Sequence, residues 1–395
     1  MSAEHSARQP RVALYNDPRV RSIAYQAGLA AAVGFLVYSA ASNAIDNLER
    51  AHITSGFGFW NTTAGFDISQ TLISYDSQAS TYGRAFWVGL LNTLLVAGLG
   101  IVFATILGFV IGISRLSKNW LLAKAAGGYV ETIRNLPLLL QLLFWYNAVL
   151  KSLPDTRDSL VSPGGAYLNN RGLFLPAPQF LYGFDAVAAA IVVGAVAAVA
   201  FAIWARRRQQ RTGKRPPVWS IVMALVIGPP LMVFVLKGFP LAFDYPQAGR
   251  FNITGGVEVL PEFAALLFGL SIYTAAFIAE VVRAGILAVS HGQIEAAYSL
   301  GLKPRPTLRL IVVPQAMRVI IPPLTSQYLN LTKNSTLAVA IGYPDLVQIF
   351  TGTVLNQTGQ AVTIVAVTMA VYLTISLVTS LLMNIYNRRV ALVER

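Results

Sequence analysis

Apolar runs of membrane length alternate with short polar clusters along this chain. A bilayer core of about 30 Å takes roughly 20 apolar residues per helix, and such runs occupy residues 23–41, 86–113, 136–150, 186–205, 221–236, 263–288 and 362–383. The fifth run is short and carries Pro229 and Pro230, which remove backbone donors and predict a kink. An eighth stretch, 317–341, is interrupted by Gln327, Asn330, Lys333 and Asn334, so apolar character alone rejects it. Charge placement restores it. With this span included and both termini cytoplasmic, most of the 30 Lys and Arg fall in cytoplasmic segments within 8–21, 115–124, 206–215, 283–318 and 388–395. Without it, Arg388 and Arg389 face outward, against the positive-inside rule. The predicted fold class is all-α integral membrane, with about eight transmembrane helices. The first run also fits a cleaved signal peptide, but its long leading segment containing Asp17 is unlike a compact n-region.

Composition agrees. The 395 residues are 55% hydrophobic and 12% charged, whereas about a quarter of a soluble domain is charged. A net charge of +13 raises the question of nucleic acid. The cations lie in short clusters between apolar runs, however, so lipid is the expected partner and nucleic acid is not. Zero Cys excludes disulfides and thiolate metal sites, and His5, His52 and His291 lie too far apart to suggest a metal cluster.

Between the spans, 42–83 holds Phe57, Phe59, Trp60 and Phe66 among small polar residues and reads as a small ordered cap. Segments 151–184 and 237–262 are rich in Pro and Gly and are expected in the periplasm. The cluster Arg206, Arg207, Arg208, Arg211, Lys214 and Arg215 forms a basic hairpin between them, read as a topology anchor touching anionic lipid.

The most informative stretch follows the sixth span. Ser290, His291, Gly292, Gln293, Ile294, Glu295, Ala296, Ala297, Tyr298, Ser299, Leu300 and Gly301 read as a short helix. Ser290 and Gln293 have capping-box spacing, Ala296 and Ala297 allow close approach of another surface, and Gly301 can take the left-handed conformation that stops the helix. A second amphipathic piece over 307–313 is expected to end at Pro314.

Glu295-Ala296-Ala297, then Gly301, Ile311 and Val313-Pro314 resemble the EAA loop of binding-protein-dependent ABC importer permeases. Family members usually have Leu before the Pro, and Val313 keeps an apolar contact there. The resemblance implies a coupling helix within 289–314 that docks on a partner ATPase. Gly89 to Leu94, Arg134 to Gln141, Glu280 to Gly285 and Lys333 to Leu337 are similar to the polar amino-acid permease branch. Tyr15 to Arg21 and Ala64 to Gln70 resemble the large permease of general L-amino-acid transporters, whose members are longer than ordinary amino-acid permeases.

The domain reading implied is a first helix with its flanking segments (1–85), the first part of the permease core (86–150), an insertion with two extra helices (151–261) and the second part of the core (262–395). The two core parts make the five-helix core of type I ABC importer permeases. Also implied are a second permease subunit in a heterodimer, an ABC ATPase dimer, a periplasmic amino-acid-binding protein and a bacterial inner-membrane location. No cofactor is expected in this chain. It has no G-x-x-x-x-G-K-[ST] phosphate loop, so ATP and Mg belong to the partner ATPase.

Polar groups inside the spans are the candidate substrate pathway. A charge at the bilayer centre costs about 2.5–3.5 kcal/mol on insertion scales, so Lys333 should face a cavity or a partner. Two readings stand: Lys333 with Asn330 and Asn334 lines the path, or Lys333 pairs with a carboxylate such as Glu280 to hold helices together. Asn92, Thr93 and Gln141 are candidates for hydrogen bonds to an amino acid or between helices. Glu131 and Arg134 lie near the cytoplasmic mouth, as a gate, a salt bridge or a binding group. An ion-coupled secondary transporter is the alternative function and needs an acidic coupling site, for which Glu280 is the one fair candidate. A membrane enzyme would need a nucleophile and base, and no His lies in a predicted span.

Overall fold

The computed structural model describes residues 18–50, 56–213, 216–249 and 252–390. His5, Tyr15, Asn16, Asp17, His52, Lys214 and Arg215 lie outside the described residues. In chain order the helices are α1 (Pro18–Arg50), α2 (Tyr82–Ser114), α3 (Trp120–Asn135), α4 (Leu138–Leu143), α5 (Phe184–Thr212), α6 (Val218–Leu236), α7 (Pro261–Leu287), α8 (His291–Ser299), α9 (Pro304–Thr307), α10 (Val313–Asn334), α11 (Leu355–Thr358) and α12 (Ala361–Val390). Seven helical runs among the described residues are long and apolar enough to cross a membrane, on α1, α2, α5, α6, α7, α9 to α10, and α12.

The third predicted span differs. Its helical part is the shorter Leu138–Leu150, made of α4 and a π-helical turn, Phe144–Leu150. The cause is Pro137. The residue before a proline is pushed out of the helical region, and Leu136 is extended, with φ −97° and ψ 132°. The break separates α4 from α3, whose start is capped by the Asn119 side chain accepting from the Leu121 and Leu122 amides. Gln141 closes the gap: its Nε2 donates to the carbonyls of Ile133 and Leu136, each at 3.0 Å.

The expected stop at Pro314 is also corrected. The helical run continues from Pro304 through a π-helical stretch, Leu308–Val312, into α10, and Pro314, which has no amide to donate back along the run, follows directly on that wider turn. The interrupted stretch 317–341 is thus part of a 38-residue helical run, Pro304–Ile341. Pro229 and Pro230 lie within α6, which runs through both.

The chain divides into two compact units. One holds the described residues up to Leu90 together with Leu346–Ile375. Its core is aromatic: Phe59 and Trp60 pack against Tyr82 and Phe86, and Phe350 joins them. Gly83 is required there, because a Cβ would lie 2.5 Å from Trp60 Nε1. The cap is tied by the Tyr75 hydroxyl donating to the Phe66 carbonyl, and burial, followed by the nearby Asp67 charge, pushes the Tyr75 pKa up to about 12.

The other unit holds Leu91–Asp345 and the described residues from Ser376. Helix α7 is its axis and buries residues all around its circumference, among them Ala265, Leu266, Gly269, Leu270, Ala275, Ile278, Ala279 and Gly285. Lipid gives no hydrophobic drive for helices to associate, so small residues that let backbones approach do the work. Gly108 and Gly112 of α2, four apart, meet α7 at Ile278 and Ala279, where Cβ atoms would lie 2.5 Å from the Ile278 side chain and 2.7 Å from the Ala279 carbonyl oxygen.

Strands in 160–259 are an addition that the all-α expectation lacked. β1 (Leu160–Val161), β2 (Tyr167–Asn169), β3 (Gly172–Leu175), β4 (Ala177–Phe180), β5 (Leu241–Asp244), β6 (Gln247–Ala248), β7 (Ile253–Thr254) and β8 (Val257–Val259) pair antiparallel. One sheet has the order β1-β2-β3-β8, and β4 pairs β5 with Phe180 opposite Leu241. Strands before α5 therefore pair with strands after α6. The α5–α6 hairpin sits where a tight turn would otherwise join β4 to β5.

Candidate functional site

The loop after α7 has a defined geometry. Ser290 is the N-cap residue of α8 with an extended backbone, but its hydroxyl makes no capping bond. The expected capping box is therefore absent: the turn is closed through the main chain, with the Gln293 amide donating to the Ser290 carbonyl at 3.1 Å. Glu295 is instead held by His291 one turn away, Nδ1 to Oε1 3.0 Å, and both are exposed. The end of α8 follows the expectation. Gly301 has φ +78°, its amide donates to the Tyr298 carbonyl, and the Leu302 amide donates to the Ala297 carbonyl, a Schellman arrangement that satisfies the last carbonyls.

Ala297 is buried within the chain, whereas Ala296 is exposed, so only one of the two small residues offers close approach to an outside surface. Ile311 and Pro314 are half-buried, on the π-helical stretch and the start of α10. Around them the loop presents Tyr298, Leu300, Leu308, Leu310 and Val313 to solvent, with Leu300 82% exposed. The sequence reading singled out none of Leu300, Leu308 or Leu310. The available signal was an apolar residue at nearly every turn of a segment too polar to be a span.

The second constellation is polar and lies mid-way along α7 and in the second half of α10. Tyr273, Thr274 and Phe277 of α7, with Gln327, Asn330 and Asn334 of α10, line an open cavity of about 320 Å³. The Arg134 guanidinium lies over the Phe277 ring, 5.1 Å from its centroid. Gln327, Asn330 and Asn334 follow three-and-four spacing, which puts them on one face of α10. Asn330 and Asn334 thus come together as anticipated. Tyr273, Thr274 and Phe277 were not foreseen, although Thr274 in an apolar run with aromatics on either side was the available signal. Lys333 is exposed on α10 and is not among the cavity-lining residues.

The pairing of Lys333 with Glu280 does not occur. Glu280 binds Arg115 at the end of α2 and Arg283 on its own helix, the latter at 2.6 Å. Two arginines satisfy that carboxylate, and among the described residues Lys333 has no ion pair. Asn92, Thr93 and Gln141 are buried away from the cavity. Asn92 Nδ2 donates to the Pro344 carbonyl at 2.8 Å and Gln141 spans the break before α4, so both hold backbone in place. Glu131 is exposed.

Comparison with known proteins places the chain in a family. A family model described as binding-protein-dependent transport system inner membrane component matches residues 216–392. The general L-amino acid transport system permease protein AapQ of Rhizobium johnstonii is 55% identical, with 98% of this chain and 96% of that protein covered. A protein of Escherichia coli provisionally named amino-acid ABC transporter permease YhdX is 53% identical over 96% of this chain and 97% of its own. The glutamate/glutamine/aspartate/asparagine transport system permease protein BztB of Rhodobacter capsulatus is 43% identical, with 97% and 96% covered. These matches set aside the ion-coupled carrier. The chain belongs to the family of binding-protein-dependent transport system inner membrane components, as the ABC permease and not the ATPase.

Proposed function

We propose that this permease carries L-amino acids across a bacterial inner membrane into the cytoplasm, with α8 as its coupling helix. The observation that carries the reading is α8 itself: a short helix with a satisfied C-terminus, standing on apolar residues that are exposed among the described residues. A partner ATPase dimer covers Tyr298, Leu300, Leu308 and Leu310 in this reading. Glu295 and Ala296 lie at the contact, and Ala297, Gly301, Ile311 and Pro314 hold the helix in shape. Closure of the ATPase pushes α8, the push reaches the spans through α7 and α10, and access alternates between the two sides.

The cavity between α7 and α10 is the proposed substrate path. Its amides and hydroxyls are neutral donors and acceptors, which suit the ammonium and carboxylate common to all amino acids. Arg134, held over Phe277, supplies a cation beside it. Lys333 stands one residue from Asn334 and faces a neighbouring subunit, which we assign to a second, shorter permease in a heterodimer. Asn92, Thr93, Gln141 and Glu280 act as framework. A periplasmic binding protein delivers the amino acid, both termini are cytoplasmic, and 151–261 is an addition to a core made by 86–150 and 262–395.

The test is radiolabelled L-amino-acid uptake into vesicles holding the purified complex, with and without ATP and binding protein, for wild type and Glu295→Lys. Uptake that requires both additions and is lost in the variant, with the complex still assembled, is expected. Unchanged uptake and ATPase stimulation in Glu295→Lys would overturn the coupling assignment.

A further inference from the structure

We propose that the arginine-rich end of α5 is a binding site for the headgroup of one anionic phospholipid, built by Trp204, Arg207, Arg208, Arg211 and Thr212. These five side chains line one open cavity of about 290 Å³. Helical geometry explains their convergence. At about 100° per residue they share one face, whereas Arg206, Gln209 and Gln210 point elsewhere. The residues that α5 buries, Val187, Gly194, Ala198 and Ala205, lie roughly a quarter turn away. That buried face is where α6 approaches, so closely that a Cβ on Gly194 would sit 2.5 Å from the Leu225 carbonyl oxygen. The arginine face therefore looks sideways out of the hairpin, where lipid stands.

The charge there has no counterpart among the described residues. No Asp or Glu occurs between Asp185 and Asp244, and among the described residues Arg207, Arg208 and Arg211 form no ion pair. Guanidinium groups on one face repel, and a phosphate that accepts two parallel N–H bonds relieves the repulsion. Arg208 is already positioned, its guanidinium 5.1 Å from the Trp204 ring centroid. Trp is a residue of the membrane interface, so the ring sets the depth at which a headgroup would be met. A topology anchor needs only a count of positive charges, anywhere along the segment. Convergence on one lipid-facing surface beside an interfacial Trp is what headgroup recognition adds. The site requires only that this end of α5 reach a membrane surface, so it stands or falls independently of the substrate and the orientation proposed above.

The assembled complex, stripped of loosely held lipid, is exposed to phosphatidylethanolamine, phosphatidylglycerol or diphosphatidylglycerol and analysed by native mass spectrometry. Wild type is expected to retain an anionic lipid at least about ten-fold over phosphatidylethanolamine. Two variants refine the reading: Arg207→Gln/Arg208→Gln/Arg211→Gln, and the same triple change with Gln209→Arg and Gln210→Arg, which moves charge to the other face. Both are expected to lose retention by about ten-fold or more. Retention at the wild-type level in the charge-moved variant would show diffuse attraction and overturn the site. Equal retention of phosphatidylethanolamine by wild type would also overturn it, and that comparison holds even if the variants fail to assemble. Displacement of the lipid by inorganic phosphate would make the cleft a free-phosphate site and likewise sink the proposal.

Discussion

Helices α6 and α7 lie in the same unit and are both long enough to cross a membrane, yet their surroundings are opposite. α6 has the higher mean hydropathy and buries none of its residues, whereas 67% of an 18-residue apolar stretch of α7 is buried. In water the more apolar helix would be the one inside. In lipid the order reverses, because acyl chains solvate leucine as well as protein does, and helices associate where small residues and hydrogen bonds favour contact. Helix α7 uses its alanines, glycines and Thr274 in such contacts, whereas Gly228 of α6 faces open space and the close approach to α6 is made by Gly194 of α5.

The largest expected effect comes from filling the space that α7 needs. Gly112→Leu places a side chain against the Ala279 carbonyl, which is backbone and cannot yield. Overpacking of about 1–3 kcal/mol should remove most of the assembled complex from membrane extracts, read by size-exclusion of a tagged chain. Next is the polar side of α7. Asn330→Leu should leave assembly intact but cut ATP-dependent uptake by about ten-fold, the loss of one charge-assisted hydrogen bond. Loss of assembly with uptake per complex unchanged would make the cavity structural.

A smaller effect is expected from removing α5 and α6 altogether. Phe180 and Leu241 are already a facing pair, so residues 181–240 can be replaced by Asn-Gly, a turn suited to a two-residue β-hairpin. Uptake within about two-fold of wild type is expected if the hairpin is peripheral; failure to assemble would show that α7 depends on it. Smallest is Gly228→Leu in α6, where a Cβ meets nothing within 4 Å. Complex yield should not change, and a drop comparable to that of Gly112→Leu would break the contrast between the two helices.

Much of this was legible in the residues. Apolar runs located the spans, and the placement of Arg388 and Arg389 restored the polar stretch that became α10. Gly301 was read correctly because a left-handed helix end leaves few choices of residue. The misses share a cause: local pattern does not say what stands opposite. The strands run two to four residues, too short for a periodicity to detect, and β3–β8 and β4–β5 pair across the α5–α6 hairpin. Glu280 found Arg115 and not Lys333, and Asn92 and Gln141 turned toward backbone carbonyls, because the facing partner is set by helix packing. At Pro137 the break was available from the rule for residues before proline, yet the apolar run around it masked the signal.

The strand pairing also bears on the order in which the molecule is made. β3 and β4 leave the membrane-insertion machinery before α5, while β5 and β8 follow α6. β5 and β8 can meet β4 and β3 on one side of the bilayer only after the chain has crossed twice, so these two pairings close later than the β1-β2-β3 meander that precedes α5. Until then β3 and β4 wait with unpaired edges, and contacts between segments so distant along the chain form slowly. If α5 crossed without α6, β5 would emerge on the side opposite β4, so pairing of β4 with β5 is a built-in report that the two helices have entered the membrane together or not at all.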